Sequence, residues 1–434
     1  MVTKTKCVTI GTDVTYELVG KSTDEKPVSS NGSKFIEMDT GKEYFFDGDE
    51  QGWSEQADKY LDSIVIETAP TKTSYYAGSN FDPTGMTVKA IYTDESEATV
   101  ECGFEAPSPL KIGDAVKAKY VENGRTRFAD VEIEIKPNEV ADAETLIDII
   151  ANGNKAVLEA DIPVTSQLVF NDDFELDLNG HAISTNMSTA YVLKVDGAKL
   201  TIKGGTIEAK KRIGTAMNGG EIIVEDGEFT SSTDLGFDAV GNGAKITFNG
   251  GNLHANDGGL MAFDGAEVEF NGGTLLIDDN FALGTNGSTG RGNNTITMNG
   301  GYIDAHIVTN GYEAIGVYIA NNDTFTMNGG EIFAENGAGI LMRGGNVTLN
   351  NGKIKTTGVE GGGGWIGDKK TVMSQSAIIY DEKSNYPGKE GMNLTVNGGT
   401  FVGFDKSIDI QSTEVEPKVY VYGGAFVPPY VPAD

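Results

Sequence analysis

A ten-residue signature recurs down the last three-fifths of the chain, and a tandem repeat of this kind settles the architecture before any single residue is weighed. Its copies are LTIKGGTIEA from Leu200, IIVEDGEFTS from Ile222, ITFNGGNLHA from Ile246, VEFNGGTLLI from Val268, ITMNGGYIDA from Ile296, FTMNGGEIFA from Phe325, VTLNNGKIKT from Val347, LTVNGGTFVG from Leu394 and VYVYGGAFVP from Val419. A degenerate tenth copy, LDLNGHAIST, starts at Leu176. The last turn glycines, from Gly180 through Gly205, Gly227, Gly251, Gly273, Gly301, Gly330, Gly352 and Gly399 to Gly424, are 25, 22, 24, 22, 28, 29, 22, 47 and 25 residues apart. The 47-residue step reads as two coils, one of which carries a loop between about Gly358 and Asn393.

Within each copy apolar residues fall at every second position, as Ile246, Phe248 and then Leu253 do, which is the period of a strand. Two short strands flank each glycine pair, and a third lies between copies, as in Ile315-Gly-Val-Tyr-Ile319 and Gly339-Ile-Leu-Met342. A coil of three strands and three turns follows. The segment from about Phe174 to Val427 therefore reads as a single-stranded, right-handed parallel β-helix of about 10 to 11 coils. Asn-Gly-Gly supplies the left-handed backbone of the turn, since Asn and Gly adopt it at least cost. Asn249, Asn271, Asn299, Asn328, Asn350 and Asn397 occupy the same turn position, so their amides are expected to form a hydrogen-bonded ladder. At about 4.8 Å per strand the rod would be on the order of 50 Å long.

The open ends of such a rod expose strand edges unless something covers them. Ahead of it, residues 140–152 place Leu146, Ile149 and Ile150 on one helical face, with Asn152-Gly153 as a stop, so a capping helix is expected before a β-helix over 153–434. After it, Pro428, Pro429 and Pro432 lack the donors needed to extend a sheet.

A formal charge of −31, from 64 acidic and 33 basic residues, argues against nucleic acid and anionic membrane as partners. Cys7 and Cys102 fall in different modules, which leaves no disulfide framework and no metal spacing, and Cys102 reads as a small buried residue. No cofactor motif occurs. The start, MVTKTKCVTIGTDVTY, has no apolar run of signal-peptide length, and no 18-residue apolar stretch exists. Taken from this methionine, the protein would be made in a cytoplasm and leave it by a route other than general secretion.

Residues 61–137 differ in kind. Ser63-Ile-Val-Ile-Glu67, Met86 to Tyr92, Ala98 to Cys102, Ala115 to Tyr120 and Ala129 to Ile135 alternate as short strands between turn clusters, the pattern of a small β-sandwich. TKTSYYAGSNFDPTGMTVKAIYTDES, with KIGDAVKAKY and a closing ADVEIEI, resembles the bacterial immunoglobulin-like domains of adhesins and phage particles. Residues 1–56 form a run of hairpins, Lys34 to Asp39 and Glu43 to Asp47, with Trp53 beyond. DVTYELVGKSTDEKP and GSKFIEMDTGKEYFFDGDEQGW are similar to the start of small virion-associated proteins, of head-fibre or decoration type, in tailed phages of Gram-positive hosts. Tyr44, Phe45, Phe46 and Trp53 read either as the core of a tiny sheet or as residues that anchor it on a capsid, because so small a module buries little surface alone.

The chain is thus expected to be all-β throughout, as an anchor module, an immunoglobulin-like sandwich and a capped β-helix. The resemblances imply a structural protein of the virion surface, assembled in the host cytoplasm and bound to capsid or other virion proteins through residues 1–56. They also permit a homotrimer. A bacterial cell-surface adhesin is the competing class, and a polysaccharide lyase or hydrolase the third. Enzymatic chemistry would need paired carboxylates or a base with a cation. Asp257, Asp264, Asp278 and Asp279, with His254 near, are the candidates, but His181, His254 and His306 keep no constant phase. Asn171-Asp-Asp173, Asp278-Asp-Asn280 and Asn321-Asn-Asp323 lack calcium-loop spacing and read as turns. No catalytic residue is assigned. Binding of host or mucosal glycans is the stronger expectation, through Tyr302, Tyr312, Trp365 and Tyr386, which fall outside the strand phase or in longer loops such as Gly361-Gly-Gly-Gly-Trp-Ile366.

Overall fold

The computed structural model describes residues 1–10, 13–55, 59–188, 191–306, 314–360, 365–366, 371–372, 374–383, 386–413 and 416–428. It divides into two compact units, Met1–Pro137 and Asn138–Asp434.

In the first unit, strands Thr3–Ile10, Asp13–Gly20, Lys34–Glu37, Glu43–Asp47 and Gly52–Glu55 make one sheet in chain order. The second and third of these run parallel and the other neighbours antiparallel. Phe35 and Phe46 are buried, and the Trp53 ring meets both edge-on at 5.8 and 5.3 Å. Three aromatic rings thus close a module that has few aliphatic residues to bury.

Beyond it, Leu61–Thr68, Thr87–Tyr92 and Glu97–Val100 form one sheet, and Gly103–Glu105, Val116–Glu122 and Arg125–Val131 another. Ser74–Tyr76 pairs in parallel with Glu134–Lys136. The core between these sheets holds Leu61, Ile64, Val88, Ala90, Val116 and Ala118 around a buried Tyr75. The Tyr75 hydroxyl is satisfied by accepting from the Asp82 amide at 3.2 Å and donating to the Lys72 carbonyl at 3.0 Å. Cys102 packs half-buried against this core rather than inside it, and burial pushes its thiol pKa up; Cys7 is exposed.

The second unit is an all-β parallel solenoid of right-handed type with about ten turns. Its three sheets hold 12, 11 and 10 strands, and each strand pairs in register with its equivalent in the next coil. Ile246, Val268, Ile296, Phe325 and Val347 stack in one such row. All five are essentially inaccessible, which is why the alternating pattern produces a filled bore. Phe229, Phe248 and Phe270 form an aromatic column with centroids 6.1 and 6.0 Å apart. At the turns glycine is required twice over. Gly273 has φ +86°, and a Cβ there would lie 2.3 Å from the carbonyl oxygen of Gly251 in the coil below.

Beside those glycines the six asparagines form a continuous chain of side-chain hydrogen bonds. Asn271 donates to Asn249 at 2.9 Å, Asn299 to Asn271 at 2.7 Å, and Asn328 to Asn299, Asn350 to Asn328 and Asn397 to Asn350 at 2.8 Å each. Asn249 ends the chain by donating to Glu225 Oε2 at 3.0 Å. The ladder is solvent-exposed, so water competes for each bond. Asn299→Ala, which removes two of them, is expected to destabilise the rod by only about 1 kcal/mol, read as a shifted urea midpoint with an unchanged slope.

The structure shows one coil that the signature misses and corrects the reading of the 47-residue step. Within the expected span of 153–434, a complete coil precedes the copy at Leu176, made of Lys155–Leu158, Ile162–Pro163 and Leu168–Phe170, and Glu139–Val140 pairs ahead of it. Its turn residues, Glu159-Ala-Asp161, carry no glycine, so the signature misses it. The 47-residue step is one coil and not two, because Asn346–Leu349 pairs directly with Asn393–Val396 and Lys353–Thr356 with Thr400–Val402. Two inserts, 357–377 and 382–392, account for its length, on either side of Ile378–Asp381.

The ends differ. Helix Ala143–Asn152 caps the start: Asp142 accepts from the Thr145 amide at 2.9 Å, Leu146 and Ile149 are fully buried, and Ile150 sits half-buried at the rim. At the far end Val421 continues the bore row of Val396 yet is 36 % exposed, and Tyr422 is 75 % exposed. Pro428 follows this open coil, while Pro429 and Pro432 lie outside the described residues.

Candidate functional site

The third sheet is buried on both faces over strands Ile315–Ile319, Ala338–Met342 and Ile378–Asp381. Val317, Ile340 and Ile378 stack in one row, and their chain neighbours Tyr318, Leu341 and Ile379 stack in the next, on the opposite face. Tyr318, Leu341 and Ile379 form a second apolar cluster with Ile315, Ala320 and Ala338, against which Phe281 packs. The unbroken apolar runs around Ile315 to Ile319 and Ala338 to Met342 are the sequence mark of double-sided burial.

Two excursions from the coil pack over this outer cluster. One follows Phe281–Gly284 and is tied down by Asn321, whose Nδ2 donates to the carbonyls of Asn286 at 2.6 Å and Ser288 at 3.1 Å. Its far end is held by Asp323, which accepts from the Asn294 amide at 2.8 Å and side chain at 3.0 Å. The other brings Tyr386 across Gly287. A Cβ at Gly287 would lie 2.4 Å from the Tyr386 ring and 2.8 Å from the Tyr318 hydroxyl, so a side chain there would displace one of the two.

Between the excursions lies a slot of about 260 Å³, lined by Phe281, Tyr318, Tyr386, Arg343, Asn286 and Ser288, among others. Phe281 and Tyr318 are stacked, 4.4 Å apart and 13° from parallel. The Arg343 guanidinium lies over the Tyr386 ring at 4.9 Å, and its Nε donates to Asp381 Oδ2 at 3.0 Å. Both members of that ion pair are essentially inaccessible, at 1 % and 0 %. Burial pushes the Tyr318 phenol well above its ordinary pKa, with Arg343 pulling the other way, so it stays protonated. Flat aromatic faces beside an amide and a hydroxyl suit a ligand with alternating apolar and hydroxylated surfaces.

Burial also pushes the Asp323 carboxyl from 3.8 up to about 6. The folded chain then holds a proton that the unfolded chain has released, so the stability linked to this group is fully present below about pH 4 and is lost as the pH rises through about 6. Asp323→Asn, which keeps an oxygen for Asn294, is expected to flatten that dependence. The difference in unfolding free energy between pH 4 and pH 7 should shrink by about 2 to 3 kcal/mol in urea titrations at the two pH values.

Of the expected sugar contacts, Tyr386 is in the slot. Tyr302 is not out of phase: it opens the regular strand Tyr302–Ala305 of the second sheet, 36 % exposed and away from the slot lining. Trp365 belongs to the short strand Trp365–Ile366, paired antiparallel with Thr371–Val372. Tyr312 and Gly361 to Gly364 lie outside the described residues. Phe281, Tyr318 and Arg343 were not anticipated, although the apolar run around Tyr318 marks the face on which they gather. A larger open cleft of about 490 Å³, beside Thr165, Ser184, Asn186 and Lys210, presents no aromatic ring.

The histidines prove less scattered than their phase implies. His254 Nε2 and His306 Nε2 lie 3.0 and 3.2 Å from the same Asp278 oxygen, and Asp304 is 3.8 Å from His306 Nδ1. His254 projects from its strand and His306 from the following turn two coils on, so equal phase was not needed. Asp278 is thus occupied by two imidazoles. Asp264 pairs with Arg291 at 2.8 Å, and Asp257 accepts from Asn280 at 3.4 Å. None of these carboxylates is in the slot lining. Among the described residues no group of three or more His, Cys, Asp or Glu is arranged to hold a metal, and no helix is long and apolar enough to cross a membrane.

In the first unit, Phe46 is buried and Trp53 half-buried, its Nε1 donating to the Pro27 carbonyl at 2.8 Å. Tyr44 is half-buried beneath the Lys26 ammonium at 4.0 Å. Phe45 alone of the four faces outward, and Val28 and Met38 are strongly exposed on the same module.

No protein-family model matches the sequence, and no curated protein is significantly similar to it.

Proposed function

We propose that this is a structural surface protein of a phage virion whose rod presents a carbohydrate-binding slot for adhesion. The observation that carries the adhesive part is the slot itself: three aromatic rings and two polar side chains gathered by chain excursions on an otherwise regular, rigid scaffold. The resemblance of residues 1–56 to virion-associated proteins supports the anchoring part. So does the outward exposure of Phe45, Val28 and Met38 on a module with little core of its own.

Each part has its own test. Titration of the full chain with oligosaccharides prepared from host wall or mucosal glycans should give saturable binding that Tyr386→Ala weakens at least about tenfold, equivalent to about 1.4 kcal/mol. Equal affinity in the two proteins would sink the adhesive reading. Deleting residues 1–56 should abolish incorporation into particles, and particles that still carry the truncated chain would refute the anchor.

A further inference from the structure

We infer that the slot takes an uncharged sugar residue and discriminates against uronic and sialic acids; this rests on the carbohydrate reading above. Of the described residues that line it, Arg343 alone is charged. That charge is already matched by Asp381 at 3.0 Å, inside the protein, with the guanidinium face laid on Tyr386. A ligand carboxylate entering the slot would find no uncompensated cation. It would have to give up its water and compete with Asp381 for Arg343, and an anion desolvated without a partner binds poorly. Tyr318, a neutral phenol, also lines the slot. Asn286 and Ser288 add an amide and a hydroxyl, groups that pair with sugar hydroxyls without asking for charge.

Two further observations agree. The chain's formal net charge of −31 acts in the same sense, slowing the approach of anionic ligands at low ionic strength. A volume of about 260 Å³ is also small for a cofactor-sized ligand and suits a single ring, so that recognition is of one residue, with the rest of a chain outside.

The test is isothermal titration of the full chain with matched oligosaccharides that end in a neutral hexose or N-acetylhexosamine, or in glucuronate, galacturonate or sialate. The neutral set is expected to bind with an affinity that salt does not change, and the acidic set at least about tenfold more weakly. Acidic ligands that bind as tightly as neutral ones, with affinity falling as salt rises, would overturn the inference while leaving carbohydrate binding intact. Failure of both sets would overturn the carbohydrate reading as well. A gain-of-function variant makes the charge argument independent of the native ligand. Thr289→Lys, exposed beside the slot and outside its lining, should raise affinity for the acidic set severalfold in low salt and leave the neutral set unchanged. No gain in a variant that still binds the neutral set would overturn the electrostatic account.

Discussion

Asp381→Ala is expected to lower the unfolding free energy of the rod by about 3 to 5 kcal/mol, because it leaves the Arg343 guanidinium buried without its counter-ion. The magnitude comes from desolvation and not from the attraction between the partners. A solvent-exposed ion pair, such as Lys353 with Glu331, would contribute less than about 1 kcal/mol. The double variant Arg343→Met with Asp381→Leu removes both charges and fills similar volume, so it should recover most of the loss. Urea unfolding of the two singles and the double forms a cycle, and equal losses in Asp381→Ala and the double would contradict the desolvation argument. Since Arg343 lies over Tyr386, the single variant should also weaken sugar binding beyond its effect on stability.

Phe270→Ala should have a comparable effect, about 3 to 5 kcal/mol, by opening a cavity in the bore. Phe270 is fully buried, stands 6.0 Å from Phe248, and packs so closely over Gly301 that a Cβ there would lie 2.4 Å from its ring. The backbone of this rod is held by in-register pairing on both sides, which leaves little freedom to collapse into the void. In a solenoid stability is shared between neighbouring coils, so the damage is expected to be local: amide exchange should rise in the coils around 246–305 and change little around 155–185. Uniform loss of protection along the whole rod would show that it unfolds as one cooperative unit instead. Phe270→Leu, which retains most of the volume, should cost less than half as much.

The slot shows why the functional surface was harder to read than the fold. Tyr386 was visible as an aromatic residue in an irregular stretch, but its partners come from three different coils, at Phe281, Tyr318 and Arg343. Their meeting depends on how many residues each excursion adds between paired strands. The 47-residue step makes the same point: glycine spacing is equally consistent with two short coils or one coil with inserts, and only the pairing of Asn346–Leu349 with Asn393–Val396 separates them. The first coil falls inside the span expected for the β-helix but carries no copy of the signature, since its turns dispense with glycine. His254 and His306 were dismissed on phase although they share the Asp278 carboxylate, because a strand residue and a turn residue reach the same point from different phases.

Sequence alone determined the rod, its capping helix and the line of Asn249 to Asn397, because these follow from local rules: alternation sets the inward face, Asn-Gly-Gly sets the turn, and a constant position in the repeat places like above like. Tertiary structure alone decided that the 47-residue step is a single coil, that the last described coil is open, and that the third sheet is buried on its outer face around Tyr318, Leu341 and Ile379. Those outcomes depend on contacts between residues distant in the chain, which carry no period. The slot belongs to this second class: Arg343 in its lining is neutralised by Asp381, 38 residues away in the chain and 3.0 Å away in the fold.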